Sequence, residues 1–271
     1  ELLLELATLM IDGCAYDEAI KQLITLRNKN PKSPRVYKLL GTAYVLFNHE
    51  EEALIEMNRA RELAPDDAEV HFNLGGLYLL RDMFSSAMDC FEKVIELDPT
   101  DTMAYANLAA AYDMLKLYDK SIIALKKVLM FTPEDKELRA ALSNAYFNAE
   151  RYEEAVNAAQ VVVEIDDKDP QAFCNLGNCY SVLSMVDDAI GAFKQASELA
   201  PDYSLPHTNL GTLYANMGRP ETALKEFKLA VGMNPQDTAA WLNLYNCYKE
   251  VGLMEDSQNA YRKYEALMEA P

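Results

Sequence analysis

The sequence predicts an all-α solenoid of eight helix–turn–helix repeats running through its 271 residues. Three observations predict it. Pro31, Pro65, Pro99, Pro133, Pro201 and Pro235 stand in one frame of 34 residues, with Asp167 on the missing beat. Between these prolines, apolar residues recur at helical spacing. Small residues also return at the same places, period after period. A fixed period of this length marks an array in which each repeat buries its apolar face against its neighbours.

With Pro34 as frame position 1, repeats begin at 34, 68, 102, 136, 170, 204 and 238, after a first one over 1–33 that lacks one residue. The expected organisation is therefore a single solenoid of repeats 1–33, 34–67, 68–101, 102–135, 136–169, 170–203, 204–237 and 238–271. In the third, His71, Leu74, Gly75 and Tyr78 form one stripe of a helix from Ala68 to near Arg81. Asp66 and Asp67 stand before it as capping acids. A second helix is expected over Ser85 to Leu97, with Ala87, Phe91, Val94 and Ile95 inward, and Pro99 stops it.

The same positions are reused along the chain. Ala19, Ala53, Ala87, Ser121, Ala155, Ala189, Ala223 and Ser257 share one, as small residues do where helices approach closely. Gly41, Gly75, Gly177 and Gly211 share another with Ala7, Ala109 and Ser143, and seven tyrosines from Tyr44 to Tyr248 a third. Packing explains all of them.

This pattern resembles the tetratricopeptide repeat, and it stands most fully as Phe173, Leu176, Gly177, Tyr180, Ala189, Phe193 and Pro201. The resemblance covers the whole chain. It implies a right-handed superhelix whose first helices line a concave groove that binds a peptide or another protein. Two repeats depart from it. The fifth carries Arg139, Ser143, Ala159 and Asp167 at signature positions, which marks it as a softer joint or a contact point. The eighth has Tyr245 for the small residue and Glu269 for proline, and its Trp241, Tyr261, Tyr264 and Met268 do not make a polar cap.

Charge and composition exclude several functions. The net charge is −18, from 43 acidic and 25 basic residues, so nucleic acid is not an expected partner. A neutral or basic protein partner suits the acidic chain better. The five cysteines, Cys14, Cys90, Cys174, Cys179 and Cys247, are odd in number and scattered, as expected of free thiols in a reducing, cytoplasmic setting. No apolar run reaches 18 residues, so no membrane insertion is expected. The chain opens at Glu1 inside a helical pattern, without a signal peptide, and reads as a piece of a longer chain; a targeting segment already removed would leave no trace here.

No enzyme signature appears. HExxH, CxxC, Walker A and GxSxG patterns are absent, and of the three histidines, His71 and His207 occupy the packing position also held by Phe173 and Trp241. No catalytic residue, metal ligand or cofactor is expected. Acidic runs such as Glu50-Glu51-Glu52 read as solvated surface.

The informative chemistry lies on the first helices. Positions 4, 7, 8 and 11 form the buried stripe, which puts positions 2, 6, 9 and 13 on the opposite face. In repeats three to eight those 24 places hold ten asparagines: Asn73, Asn107, Asn144, Asn148, Asn175, Asn178, Asn209, Asn216, Asn243 and Asn246. With 17 asparagines in the chain, chance would place about 1.5 there. Asparagine costs roughly 0.5–0.7 kcal/mol relative to alanine inside a helix. Ten would cost on the order of 5–7 kcal/mol, comparable to the net stability of a domain. An amide ladder offers a donor and an acceptor for each peptide unit of an extended chain. The competing explanation is ancestry, since asparagine at position 6 is common in the family.

Toward the N-terminus the face becomes apolar, with Leu39, Leu46, Phe72, Leu79, Leu80, Met103 and Met114. Such a groove suits an amphipathic helix or hydrophobic tail, or a neighbouring segment of the protein itself. Tetratricopeptide domains that clamp a terminal carboxylate imply five polar positions, which here hold Lys38, Thr42, Asn73, Ala106 and Ala110 and match in two. The asparagines are more similar to the inner face of the repeat region of protein O-linked N-acetylglucosamine transferases. Expected, then, is a non-catalytic protein-interaction scaffold gripping an extended peptide or partner segment. The alternatives are the substrate-recruiting part of a larger enzyme such as a protein glycosyltransferase, and self-association through the terminal repeats.

Overall fold

The computed structural model describes residues 2–269; Glu1 of the first expected repeat and Ala270 and Pro271 of the last lie outside the described residues. Sixteen α-helices are found among the described residues, with no strand. They fall in pairs: α1 (Leu2–Asp12) with α2 (Tyr16–Lys29), α3 (Pro34–Leu46) with α4 (Glu50–Leu63), α5 (Ala68–Leu80) with α6 (Phe84–Leu97), and α7 (Thr102–Met114) with α8 (Tyr118–Leu129). These belong to one compact unit, Glu1–Pro133. The second compact unit, Glu134–Pro271, holds α9 (Lys136–Asn148) with α10 (Tyr152–Ile165), α11 (Pro170–Val182) with α12 (Val186–Leu199), α13 (Leu205–Asn216) with α14 (Pro220–Met233), and α15 (Thr238–Val251) with α16 (Met254–Met268). Every pair sits in one 34-residue period, as the proline frame requires.

The first helices start where their caps are. Asp67, Asp101, Asp135, Asp169 and Asp237 stand one residue ahead of α5, α7, α9, α11 and α15, and each carboxylate accepts a hydrogen bond from a backbone N–H of the first turn. Asp67, not Asp66, performs this for α5. A second lock recurs at position 4. Tyr37 Oη, His71 Nε2 and Trp241 Nε1 lie 3.2, 2.8 and 3.0 Å from the carbonyl oxygens of Pro31, Pro65 and Pro235, tying each first helix to the proline that ended the previous repeat.

Within a pair, glycine at position 8 makes room for a large side chain of the second helix, Met57 against Gly41 and a phenylalanine ring in three other repeats. A Cβ on Gly75 would come within 2.7 Å of the Phe91 ring, and one on Gly177 or Gly211 within 2.6 Å of Phe193 or Phe227. Where serine occupies this contact it ties the two helices together: Ser121 Oγ donates to the carbonyl of Ala109, and Ser143 Oγ to that of Ala155. The departure at the eighth repeat is coherent, because the Tyr245 ring packs against that of Tyr261, tilted by 48° with centroids 5.0 Å apart.

Between pairs of the same compact unit, the stacking face of the following first helix uses positions 3, 7 and 10. In α3 these are Val36, Leu40 and Ala43, in α5 Val70, Leu74 and Leu77, and in α13 Pro206, Leu210 and Leu213, all buried. Residue sizes alternate across these faces. Leu26 shares a cluster with Ala43, Ala60 with Leu77, Val94 with Ala111, and Ala196 with Leu213, a large residue with a small one each time. On α1 the same three places are Leu2, Leu6 and Leu9, and there the leucines stand exposed. Charge crosses one such layer: Arg27 of α2 pairs with buried Glu56 of α4, whose desolvation raises its pKa while Arg27 opposes the rise.

The cysteines are free thiols, four buried and Cys14 exposed. Burial pushes the thiols of Cys90 and Cys174 up to about 11 and raises those of Cys179 and Cys247 as well. A thiol-reactive disulfide reagent at pH 8 is therefore expected to label Cys14 alone in the native protein and all five after denaturation. Rapid native labelling of a second cysteine would contradict the packing described. Among the described residues no helix is long and apolar enough to cross a membrane.

Candidate functional site

All ten asparagines of the expected ladder fall on first helices. Asn73 and Asn107 lie on α5 and α7 of the first compact unit. In the second, Asn144 and Asn148 lie on α9, Asn175 and Asn178 on α11, Asn209 and Asn216 on α13, and Asn243 and Asn246 on α15. Asn144, Asn148, Asn216 and Asn246 are exposed, and the other six are half-buried. First helices of neighbouring pairs touch one another, α11 with α13 and α13 with α15. That arrangement brings side chains from successive repeats within reach.

Two pairs of amides are joined. Asn209 Nδ2 donates to Asn178 Oδ1 at 2.9 Å, bridging α13 and α11, and also approaches Cys174 Sγ at 3.4 Å. Gln171 Nε2 donates to Asn175 Oδ1 at 2.8 Å, while Tyr203 Oη donates to Gln171 Oε1 at 2.5 Å. The bridged amides keep part of their capacity, since each has two donors and an acceptor with two lone pairs. A half-buried amide held by its neighbour is positioned in advance, which lowers the entropy lost on binding.

The apolar set divides in two. Leu46, Leu80, Met103 and Met114 are exposed. Leu39, Phe72 and Leu79 are half-buried and pack on the cores beneath, with the Phe72 ring edge-on to Phe91 at 5.8 Å. Leu46, Phe72 and Leu80 meet around one pocket of ≈350 Å³ between α3 and α5, which Val45, Leu77, Met57, Thr42, Asn73 and Gly76 complete. Leu39, Leu79, Met103 and Met114 do not line it.

Sequence reasoning missed Gly76. It lies beside Gly75 but about 100° further round the helix, and a Cβ there would meet nothing within 4 Å. The available signal was position 9, where the other repeats carry threonine, alanine or asparagine and this one has no side chain. Asp113 was also missed: its Oδ1 is buried without a hydrogen-bond partner, and desolvation raises its pKa.

Lys38, one of the two matches to the carboxylate-clamp pattern, is already engaged. Its Nζ lies 2.6 Å from Glu69 and 3.1 Å from Asp67. Burial pulls its pKa down, but these two carboxylates outweigh burial and leave it above the ordinary lysine value. A ligand carboxylate would have to compete with both for the ammonium's charge. No cluster of three or more potential metal ligands is found among the described residues.

Two family models, each described as tetratricopeptide repeat, match the sequence. One covers residues 68–101 and 170–203, in phase with the proline frame, and the other covers 90–123 and 192–225. No curated protein sequence matches significantly. Among solved structures, the C-terminal part of a TPR repeat-containing protein from Cytophaga hutchinsonii is 16% identical, covers 89% of this chain and 99% of its own, and has a TM-score of 0.70. MamA residues 41 to the end from Desulfovibrio magneticus RS-1 is 23% identical over 61% of this chain and 94% of its own, with a TM-score of 0.58. Another MamA protein is 23% identical over 62% and 92%, with a TM-score of 0.53. At these identities the likeness is one of fold.

Proposed function

We propose a non-catalytic scaffold function for this chain, which belongs to the tetratricopeptide-repeat family: its first-helix faces hold an extended segment of a partner protein. The observation that carries this reading is the placement of ten asparagines on first helices, two of them bridged from one helix to the next by Asn209 and Asn178. Nothing in packing requires an amide at the exposed places Asn144, Asn148, Asn216 and Asn246, where alanine would favour the helix by roughly 0.5–0.7 kcal/mol each. Amides facing a peptide backbone pair with its C=O and N–H groups and so read chain rather than side chain. The partner is neutral or basic, in keeping with a net charge of −18.

The test is affinity capture by the wild type and by the Asn175→Ala, Asn209→Ala, Asn243→Ala triple variant. The variant is expected to stay folded, with unchanged circular dichroism, and to capture at least tenfold less of the partners held by the wild type. Equal capture by both would remove the amides from the binding surface.

A further inference from the structure

The pocket between α3 and α5 goes further than the general reading, because its walls and its rim differ in kind. The walls are Val45, Leu46, Met57, Phe72, Leu77 and Leu80, and its space is kept open by Gly76, over which no other atom lies within 4 Å of a would-be Cβ. Two polar side chains complete the lining: Thr42, whose Oγ1 donates back to the Lys38 carbonyl at 3.1 Å, and the half-buried Asn73. An opening of ≈350 Å³ with such walls accepts one bulky apolar side chain, aliphatic or aromatic.

Leu80 belongs to a second depression as well. That neighbour, ≈570 Å³, is lined by Asn48, His49, Glu50, Glu51, Glu52, Leu80, Arg81 and Asp82. It carries four carboxylates against the one fixed cation, Arg81, which lies 3.6 Å from Glu51. His49 is 3.7 Å from Glu52. The apolar slot therefore opens beside a surface with a negative excess. An acidic or phosphorylated ligand would be repelled there, whereas a lysine or arginine close in sequence to the inserted side chain would be attracted.

We propose that the α3–α5 pocket seats a leucine- or phenylalanine-sized side chain of a basic–hydrophobic peptide, with flanking lysine or arginine residues held by Glu50, Glu51, Glu52 and Asp82. This rests on the scaffold reading above and adds the class of ligand that the first compact unit takes. The division of labour is chemical. The apolar anchor supplies desolvation at a single point, as a buried hot spot does, while the carboxylates steer approach and set the sign of the partner.

The probe is a fluorescein-labelled peptide of sequence SKKLFKKS, with SEELFEES and SKKSSKKS as the charge-reversed and apolar-deleted controls, read by fluorescence anisotropy on the full chain. SKKLFKKS is expected to bind at least tenfold more tightly than either control, with affinity falling as salt rises. Gly76→Leu fills the pocket from inside, at a place where added atoms meet open space, and is expected to weaken that binding at least tenfold while leaving the circular dichroism unchanged. Glu51→Lys with Glu52→Lys is expected to weaken it by a similar factor and to remove most of the salt dependence.

Three results would overturn the proposal. One is equal binding of the three peptides. Another is unchanged binding by a folded Gly76→Leu variant. The third is a concentration-dependent rise in mass of the wild type that Gly76→Leu abolishes, which would assign the pocket to a second copy of the chain. The Asn175, Asn209, Asn243 triple variant separates the two readings. If it loses its partners while Gly76→Leu binds peptide normally, the scaffold stands and the pocket proposal falls.

Discussion

Truncating Leu77 to alanine is expected to cost about 2–5 kcal/mol of stability, and truncating Leu9 less than about 0.5 kcal/mol. Both leucines hold frame position 10 on a first helix, so sequence alone ranks them equally. Leu77 is 1% exposed and shares a cluster with Ala60, whereas Leu9 is 67% exposed. Removing Leu77 leaves a small residue facing a small residue, and a cavity that rigid helices close only in part. The cost therefore belongs in the upper part of the range. Urea midpoints of the two variants against the wild type check this. Repeat arrays unfold in segments, so both variants are read by a probe within Glu1–Pro133. Equal losses would mean that position 10 is not a stacking face.

A pair of adjacent glycines supplies the second large effect. Gly75→Val is expected to destabilise by about 3 kcal/mol, the upper end for overpacking, because its Cβ alone would stand 2.7 Å from Phe91 and its branches have nowhere to go. Gly76→Ala is expected to stabilise by about 0.5–1 kcal/mol, because it relieves the backbone entropy cost of glycine inside a helix and meets no atom within 4 Å. The change of sign between neighbours is the distinctive result. It is read from thermal or urea midpoints of the two single variants. If both destabilise, the open space above Gly76 is filled in solution.

Those glycines also show what was legible in advance. Gly75 shares its frame position with Gly41, Gly177 and Gly211, so its packing role follows from the repeat. Gly76 shares its position with residues of other types, and only the separation of α3 and α5 shows that it opens a pocket. Helix limits were legible within a residue or two, because proline and aspartate act locally: Pro99 follows α6, and Asp101 caps α7. The exposure of Leu2, Leu6 and Leu9 was not, since the frame says which face stacks and not whether a neighbour covers it. The asparagines were legible as a stripe, but the Asn209–Asn178 bridge depends on the distance between two helices 31 residues apart in register. The Lys38 ion pairs were hidden for the same reason, as their partners lie 29 and 31 residues away.

The distribution of chemistry follows the compact units. In Glu1–Pro133 the exposed faces of first helices carry Leu46, Leu80, Met103 and Met114, while eight of the ten asparagines lie in Glu134–Pro271. An apolar anchor and an amide ladder do different work. The first gives affinity through desolvation at a point, and the second tolerates many sequences along a length.

Hydrogen–deuterium exchange of the full chain, with and without a partner captured by the wild type, tests the central claim most directly. Protection is expected to rise on the first helices, above all α11, α13 and α15, where Asn175, Asn209 and Asn243 lie, and to stay unchanged on α12, α14 and α16. Protection confined to the second helices, or to α1 and α16 alone, would contradict it and move the working surface off the asparagine faces.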